Sequence, residues 1–251
     1  MTNTTDIQNI GVFFAMEGEG IDFVRRLGLV EIAPFEPALP GKVYRGNPTL
    51  DSGKNIEITV AFGGKDPHHG CDRIGTEAAV LASYVLCSHV APDLFINAGT
   101  CGGFVKRGGR VGDVYIGTQH FLFHGRPIPI ADFTEFGVGR IPACEASNLQ
   151  RRCDLKPGIV SSSNGFTTNE SELTFFDEKC VHVKDMEATA LARLLQDLAI
   201  PFVAIKAVTD LIDAPKAEEE AFLENYRSVC EILTERLLLI VNCLSEAGNL
   251  D

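Results

Sequence analysis

Three acidic residues occur at positions where a carboxylate could take part in chemistry. Glu19 follows the apolar run 10–15, Glu187 lies in the first turn of a predicted helix, and Asp210 follows the apolar run 202–208. A carboxylate at the end of a buried strand costs free energy unless it is paired or used. The simpler alternative is that these acids only stabilise helix N-termini, where the helix dipole favours negative charge.

A set of acids in one site suits acid–base chemistry on a small molecule. One carboxyl group can donate a proton to a leaving group while another removes a proton from water. The donor must keep its proton near neutral pH, and burial raises a carboxyl pKa in that direction. Burial at the end of a strand, as predicted for Asp210, would raise a carboxyl pKa in this way.

The segments around these acids predict an α/β protein. The runs 10–15 and 202–208 are typical of strands buried on both faces, and Lys206 alone interrupts the second. A helix is predicted to begin near Asp185. Its apolar face is predicted to consist of Met186, Ala190, Leu194 and Leu198. No linker divides the chain, so we expect a single domain over residues 1–251 with a central mixed sheet flanked by helices.

Three further segments carry specific expectations. Residues 93–103 predict a buried strand that runs into glycines, which either bend the chain or let the backbone approach a ligand closely. Residues 120–142 predict an apolar loop that covers a pocket, contacts another subunit or packs on its own core. Residues 222–244 show apolar side chains at every third or fourth position, which predicts a helix with a packing role only.

The composition argues against several classes of function. The 251 residues carry a net charge of −12 and no basic stripe, which disfavours binding to nucleic acid or to an anionic membrane. No secretory signal or membrane-spanning run is evident. The eight cysteines form no CxxC pair and the histidines lack metal-ligand spacing, so no metal or other cofactor is predicted. Cysteines in core-like settings indicate a reducing compartment, and we expect the cytoplasm.

Four motifs resemble those of the 5′-methylthioadenosine/S-adenosylhomocysteine nucleosidases, which belong to the nucleoside phosphorylase superfamily. The motifs are AMEGE (15–19), INAGTCGG (96–103), KDMEATA (184–190) and AVTDLID (207–213). The resemblance covers nearly the whole chain, and residues 123–140 resemble the plant-type enzymes. It implies a nucleoside phosphorylase-like fold and hydrolysis of 5′-methylthioadenosine to adenine and 5-methylthioribose in methionine salvage. Whether S-adenosylhomocysteine is also a substrate depends on the size of the 5′ pocket.

The resemblance implies a role for each acid. Glu19 matches the general base that activates water, and Asp210 matches the acid that protonates the purine at N7. Glu187 matches the carboxylate that binds the ribose 3′-hydroxyl. Met186 matches the residue that lines the sugar and gives a backbone contact.

Four more residues match positions around the substrate of the family. Thr100 falls at the hydroxyl beside the nucleophilic water, and Thr209 falls at the hydroxyl that accompanies the acid. Phe166 matches the residue that stacks on adenine, and the backbone of Thr167 matches the one that reads the edge of the base. Asn164 departs from the pattern, because many relatives have an acid near this loop.

These residue types suit the cleavage of an N-glycosidic bond. The reaction builds positive charge on the sugar and negative charge on the base. A general acid must therefore neutralise the base, and a general base must deprotonate water on the opposite face of the sugar. A third carboxylate near the ribose can stabilise the cation-like sugar.

Two other functions are compatible with this superfamily. A phosphorylase would need a cationic phosphate loop after the first strand, where this chain has Met16, Glu17, Gly18 and Glu19. A non-catalytic nucleoside-binding or storage protein would be expected to lack the acids that are present here. The loop 121–142 carries Phe121, Phe123, Phe133 and Phe136, and in the resembling family the partner subunit completes the pocket. We therefore expect a homodimer, with a monomer as the alternative.

Overall fold

A computed structural model describes residues 6–250, and the strands within them belong to one mixed β-sheet. The strands are β1 Asn9–Phe14, β2 Val30–Ile32, β3 Val43–Gly46, β4 Glu57–Phe62, β5 Leu94–Gly103, β6 Val114–Phe123, β7 Ile141–Pro142, β8 Lys156–Ser162, β9 Val183–Asp185 and β10 Phe202–Leu211. The helices are α1 Glu17–Arg26, α2 Thr76–Val90, α3 Thr134–Val138, α4 Ser147–Arg152, α5 Glu170–Glu178, α6 Ala188–Asp197 and α7 Glu218–Ala247. The predicted α/β architecture with a central mixed sheet is confirmed.

Part of the sheet closes on itself. Strand β5 pairs with β9, β9 with β8, β8 with β6, β6 with β10, and β10 again with β5. Four further strands extend from β5 in the order β1, β4, β3, β2, and β7 pairs with β6. This five-stranded ring is a consequence of long-range pairing that the sequence alone does not indicate.

The core lies on both faces of the sheet. In β1, Ile10, Val12 and Phe14 pack toward α1 and α7, whereas Phe13 packs toward α2 and α6. Alternate side chains of a strand point to opposite faces, so a continuous apolar run is needed where helices cover both. The apolar runs in β1 and β10 are explained in this way.

The parallel strands β1, β5 and β10 lie side by side, with β5 in the middle. Their carboxyl ends therefore lie at one edge of the sheet, which is where ligands of α/β proteins bind. Glu19 follows β1, Thr100 lies in the second half of β5, and Asp210 lies near the end of β10. The topology thus brings together residues that are up to 191 positions apart.

The helix predicted from near Asp185 begins later than expected. Residues Val183–Asp185 form β9, and α6 begins at Ala188 with Glu187 as its N-cap. Asp185 stays extended because it pairs with Ser162 in β8. The predicted apolar face was also partly wrong, because Leu191 and Leu195 are fully buried whereas Leu198 is exposed.

Two predicted loops contain more strand than expected. Strand β5 continues through its glycines to Gly103, and β6 continues to Phe123. Phe121 consequently lies in a strand and in the core, so its assignment to the loop was wrong. Phe133 and Phe136, in contrast, are each about half exposed, at 53% and 52%.

Helix α7 is confirmed, but its role is wider than packing. Val229, Leu233 and Leu237 are buried in the core, whereas Glu218 and Phe222 in its first turns line a cavity. Although α7 is 30 residues long, no helix within residues 6–250 is long and apolar enough to cross a membrane.

Candidate active site

A cavity of about 170 Å³ lies where the carboxyl ends of the parallel strands meet α7. Seven of the eight residues predicted for the site line it, namely Glu19, Thr100, Phe166, Met186, Glu187, Thr209 and Asp210. Thr167 does not line the cavity, and its side chain is exposed. The structure therefore gathers the three acids into one buried site, while the roles predicted for individual residues stay predictions.

Glu19 is held as a hydrogen-bond acceptor at one end of the site. Its Oε1 accepts hydrogen bonds from the backbone N–H and the hydroxyl of Thr100, both at 2.7 Å. Its Oε2 accepts a bond from the backbone N–H of Met16 at 3.2 Å. Burial raises the pKa of Glu19, whereas these donors oppose the rise because they stabilise the ionised form. The carboxylate is thus desolvated and oriented, as a general base requires.

Asp210 lies at an irregularity of the sheet. Val208 pairs with Cys101 and Asp210 with Gly102, so Thr209 is an extra residue in β10. A bulge of this kind redirects the side chains next to it. The Thr209 hydroxyl bonds to Asp210 Oδ1 at 2.7 Å. Burial raises the pKa of Asp210 to about 6, which favours the protonated form needed by a general acid.

Glycine in β5 leaves room for the acids to approach. A Cβ atom on Gly102 would lie 2.9 Å from Asp210 Oδ2, and one on Gly99 would lie 3.1 Å from Glu19 Oε1. Both distances are shorter than an ordinary contact of a carbon with an oxygen. The glycine-rich end of β5 therefore admits two carboxyl groups as well as a ligand.

Glu187 belongs to a buried charge cluster. Its Oε1 accepts the backbone N–H of Gly75 at 2.9 Å, and its Oε2 lies 3.9 Å from Lys206 Nζ. Lys206 Nζ also lies 2.7 Å from Asp185 Oδ2. Burial raises the pKa of Glu187, and the charge of Lys206 opposes that rise. Burial lowers the pKa of Lys206, but Asp185 and Glu187 outweigh it, so the lysine stays charged.

Asp185 fixes the chain around Glu187. Its Oδ2 accepts the backbone N–H of Ala188 at 2.9 Å, and its Oδ1 accepts the hydroxyl of Ser162. The Ser162 hydroxyl oxygen in turn accepts the backbone N–H of Thr189 at 2.9 Å. The N-terminus of α6 is thereby anchored to β8 and β9, which sets the direction of the Glu187 side chain.

The loop that follows β8 forms the open side of the cavity. Phe166 lines the cavity, and its ring meets the ring of Phe222 edge-on at 5.6 Å. Asn164 lies outside the cavity lining. Its Oδ1 accepts the backbone N–H of Thr76 at 2.8 Å, so it satisfies the N-terminus of α2.

Sequence reasoning missed five residues of the site. They are Lys184, Asp185, Lys206, Glu218 and Phe222. Lys206 carried a signal, because a single lysine in a buried apolar strand needs a counter-ion. The sequence contained no sign that Glu218 and Phe222 belong to the site, since their positions on α7 are consistent with packing alone. Within residues 6–250, no group of three His, Cys, Asp or Glu side chains is arranged to hold a metal ion.

Comparisons with known proteins identify the family of this chain. Residues 9–241 match the family model of the phosphorylase superfamily. The chain is 34% identical over 241 residues to a 5′-methylthioadenosine nucleosidase of Arabidopsis thaliana, covering 95% of this chain and 88% of that protein. It is 32% identical to a 5′-methylthioadenosine/S-adenosylhomocysteine nucleosidase of the same organism, covering 95% and 92%.

A solved structure shows the same fold. The apo form of Arabidopsis thaliana 5′-methylthioadenosine nucleosidase matches with a TM-score of 0.90 and 34% identity, over 95% of this chain and 96% of that chain. The nucleoside phosphorylase-like fold and the resemblance inferred from the four motifs are both confirmed. The chain therefore belongs to the phosphorylase superfamily and, within it, to the family of the 5′-methylthioadenosine nucleosidases.

Proposed function

We propose that this protein hydrolyses the N-glycosidic bond of 5′-methylthioadenosine to give adenine and 5-methylthioribose, with water as the nucleophile. The observation that carries the proposal is the pair of buried carboxyl groups, Glu19 and Asp210, in one cavity. Glu19 accepts three hydrogen bonds from protein donors, which suits a carboxylate base. Asp210 accepts one, from Thr209, and its raised pKa suits a proton donor.

The spacing along β5 is consistent with Glu19 as the base and Asp210 as the acid. Glu19 bonds to Thr100, and Asp210 Oδ2 lies against Gly102, two residues further along the strand. Two residues of extended strand span about 7 Å. Glycosidases that use water directly separate their acid and base by roughly 6.5–9.5 Å, because water and the sugar must fit between them. Glu187 would then bind the ribose and stabilise the developing positive charge.

The cavity suits water better than phosphate as the second substrate. Lys184 is the one basic residue among its lining side chains, and it is bonded to Phe166 and Thr168. Four acids line the same cavity besides Asp185, namely Glu19, Glu187, Asp210 and Glu218. Such a surface repels a phosphate dianion.

The direct test is to incubate the pure protein with 5′-methylthioadenosine, with and without phosphate, and to identify the sugar product. We expect adenine and 5-methylthioribose at the same rate in both samples. Formation of 5-methylthioribose 1-phosphate would establish a phosphorylase instead. Tight binding of the nucleoside with no cleavage would establish a binding protein. A parallel assay with S-adenosylhomocysteine decides whether the cavity also accepts the larger 5′ substituent.

We further propose that the protein is a homodimer. A groove beside the site is lined by Tyr84 of α2, by Phe136 of the 124–140 segment and by Arg193 of α6. Phe133 and Phe136 are exposed, and the guanidinium of Arg126 lies 5.2 Å from the centre of the Phe136 ring. Exposed aromatic residues next to arginine are typical of protein interfaces. Light scattering at micromolar concentration distinguishes a dimer from a fully active monomer, which would refute this proposal.

We also propose that this reaction belongs to methionine salvage and that it takes place in a reducing compartment such as the cytoplasm; the cysteines support the choice of compartment. All eight are free thiols, and Cys87, Cys101 and Cys153 are buried. Free buried thiols are usual where no oxidising machinery acts. Fractionation of cells that express the tagged chain would test the location, and recovery of the protein from a secreted fraction would contradict it.

A further inference from the structure

The loop over the open side of the cavity has few apolar contacts to hold it. Residues 164–167 are all exposed, although Phe166 lines the cavity. Asn164 ties the start of this loop to Thr76 at the N-terminus of α2. The rest of the loop is held at its other end by polar contacts and by the contact of Phe166 with Phe222.

Lys184 makes those contacts from the floor of the site. It lies in β9, is 5% exposed, and lines the cavity. Its Nζ donates to the backbone carbonyl of Phe166 and, at 2.8 Å, to the hydroxyl of Thr168. A buried lysine in a cavity is costly to keep, so its use as a donor to this loop indicates a specific role.

Glu218 completes the attachment from the first turn of α7. Its Oε1 accepts the backbone N–H of Thr168 at 3.1 Å, and its Oε2 lies 3.6 Å from Lys184 Nζ. Its Oε2 is also 3.2 Å from the hydroxyl of Thr168. One helical turn later, Phe222 supports the ring of Phe166. Two opposite charges from β9 and α7 therefore meet at Thr168, and Lys184 also holds the backbone of Phe166.

We propose that Lys184 and Glu218 are positioning residues that clamp residues 166–168 over the cavity, so that the base of the substrate enters a preformed cleft. The identity of that base rests on the function proposed above. The clamp itself rests on the five contacts that join Lys184, Glu218 and Thr168 with one another and with Phe166. A preformed loop lowers the ordering cost of binding, so loss of the clamp should appear mainly in KM.

Lys184 and Glu218 also shift the pKa of Asp210 in opposite directions. The groups that face Asp210 are the Thr209 hydroxyl, Cys101 of β5, Lys184 of β9 and Glu218 of α7. The negative charge of Glu218 raises the pKa of Asp210, and the positive charge of Lys184 lowers it. Removing either residue should loosen the loop. Removal of Lys184 should raise the pKa of Asp210, whereas removal of Glu218 should lower it.

The test compares Lys184→Met, Glu218→Gln and Thr168→Val with Glu219→Gln. Glu219 is the matched control, because it lies in the same helical turn and is exposed. We expect KM for 5′-methylthioadenosine to rise about tenfold or more in the three clamp variants, the effect of losing one charge-assisted hydrogen bond. The control should keep the KM and kcat of the unaltered protein.

The pH dependence of kcat/KM separates the clamp from a general packing defect. That profile reports ionisations of the free enzyme. The fall in activity at high pH should move to higher pH in Lys184→Met, where Asp210 holds its proton longer. It should move to lower pH in Glu218→Gln. Shifts in the same direction, or none, would contradict the electrostatic part of the proposal.

Hydrogen exchange of the free protein tests the clamp without any assumption about the substrate. The backbone amide of Thr168, which donates to Glu218, should exchange at least about tenfold faster in the clamp variants than in Glu219→Gln, with unchanged exchange in β5. If the unaltered protein cleaved no nucleoside but this difference appeared, the proposed function would fail and the clamp would stand. If KM and exchange matched the control in all three variants, the clamp would be refuted.

Discussion

Lys206→Met is a substitution for which the structure predicts a large loss of stability. The Lys206 side chain is 1% exposed and lies 2.7 Å from an Asp185 oxygen that is likewise inaccessible to water. Methionine keeps much of the length and apolar volume of the lysine stem. The substitution therefore removes the charge with little change in packing, and it leaves Asp185 and Glu187 facing each other without a cation.

The expected magnitude follows from the burial of this pair. Removing one partner of a buried ion pair costs about 3–5 kcal/mol, because the remaining charge cannot recover its hydration. That is a large share of a typical unfolding free energy of about 5–15 kcal/mol. The deficit should shrink as the pH is lowered, because Glu187, whose pKa is raised by burial, then takes up a proton and the uncompensated negative charge falls.

Urea denaturation followed by circular dichroism measures this loss. Lys216→Met is the matched control, because Lys216 pairs with Glu224 at the surface, with 45% and 63% of their side chains exposed. Such surface pairs contribute little to stability, so the control should unfold at nearly the same urea concentration as the unaltered protein.

A double-mutant cycle with Asp185→Asn separates loss of the ion pair from loss of packing. If the pair is the cause, the double variant should be more stable than the sum of the two single losses predicts, by about 0.5–3 kcal/mol. Strict additivity, or a Lys206→Met protein as stable as the Lys216→Met control, would refute the reasoning.

Four further outcomes are expected. Asp210→Asn and Glu19→Gln should each lower kcat by about 10²–10⁴-fold without loss of fold, measured by adenine release and circular dichroism. In the unaltered protein kcat/KM should fall as the pH rises through about 6, because burial raises the pKa of Asp210 to about 6 and the acid acts only when protonated. Gly102→Ala should lower kcat by ~10²-fold, since its Cβ would displace Asp210, whose Oδ2 would lie 2.9 Å away. Replacing Phe133 and Phe136 by alanine should shift the light-scattering mass toward the monomer, and an unchanged mass would place the interface elsewhere.

Several features follow from the sequence because they depend on local chemistry. The apolar runs in β1 and β10 and the helical spacing in α7 were enough to predict those elements, and they are confirmed. The family was also predictable, because four motifs in the correct order carry more information than any single acid. The site residues were predicted from the resemblance to this family, and seven of the eight line one cavity. Thr167 is the exception, since a loop conformation is not encoded in the residue type.

The tertiary structure alone decided how these residues work together. The closed ring of strands, the bulge at Thr209 and the partners of Lys206 arise from pairings between distant parts of the chain. The helix predicted to begin near Asp185 begins later, because Asp185 pairs with Ser162 of β8 and belongs to strand β9. Glu218 and Phe222 look like ordinary residues of an amphipathic helix until the fold places them beside Asp210. Spacing along a chain predicts which face a residue occupies, but burial and charge depend on what the fold brings to that face.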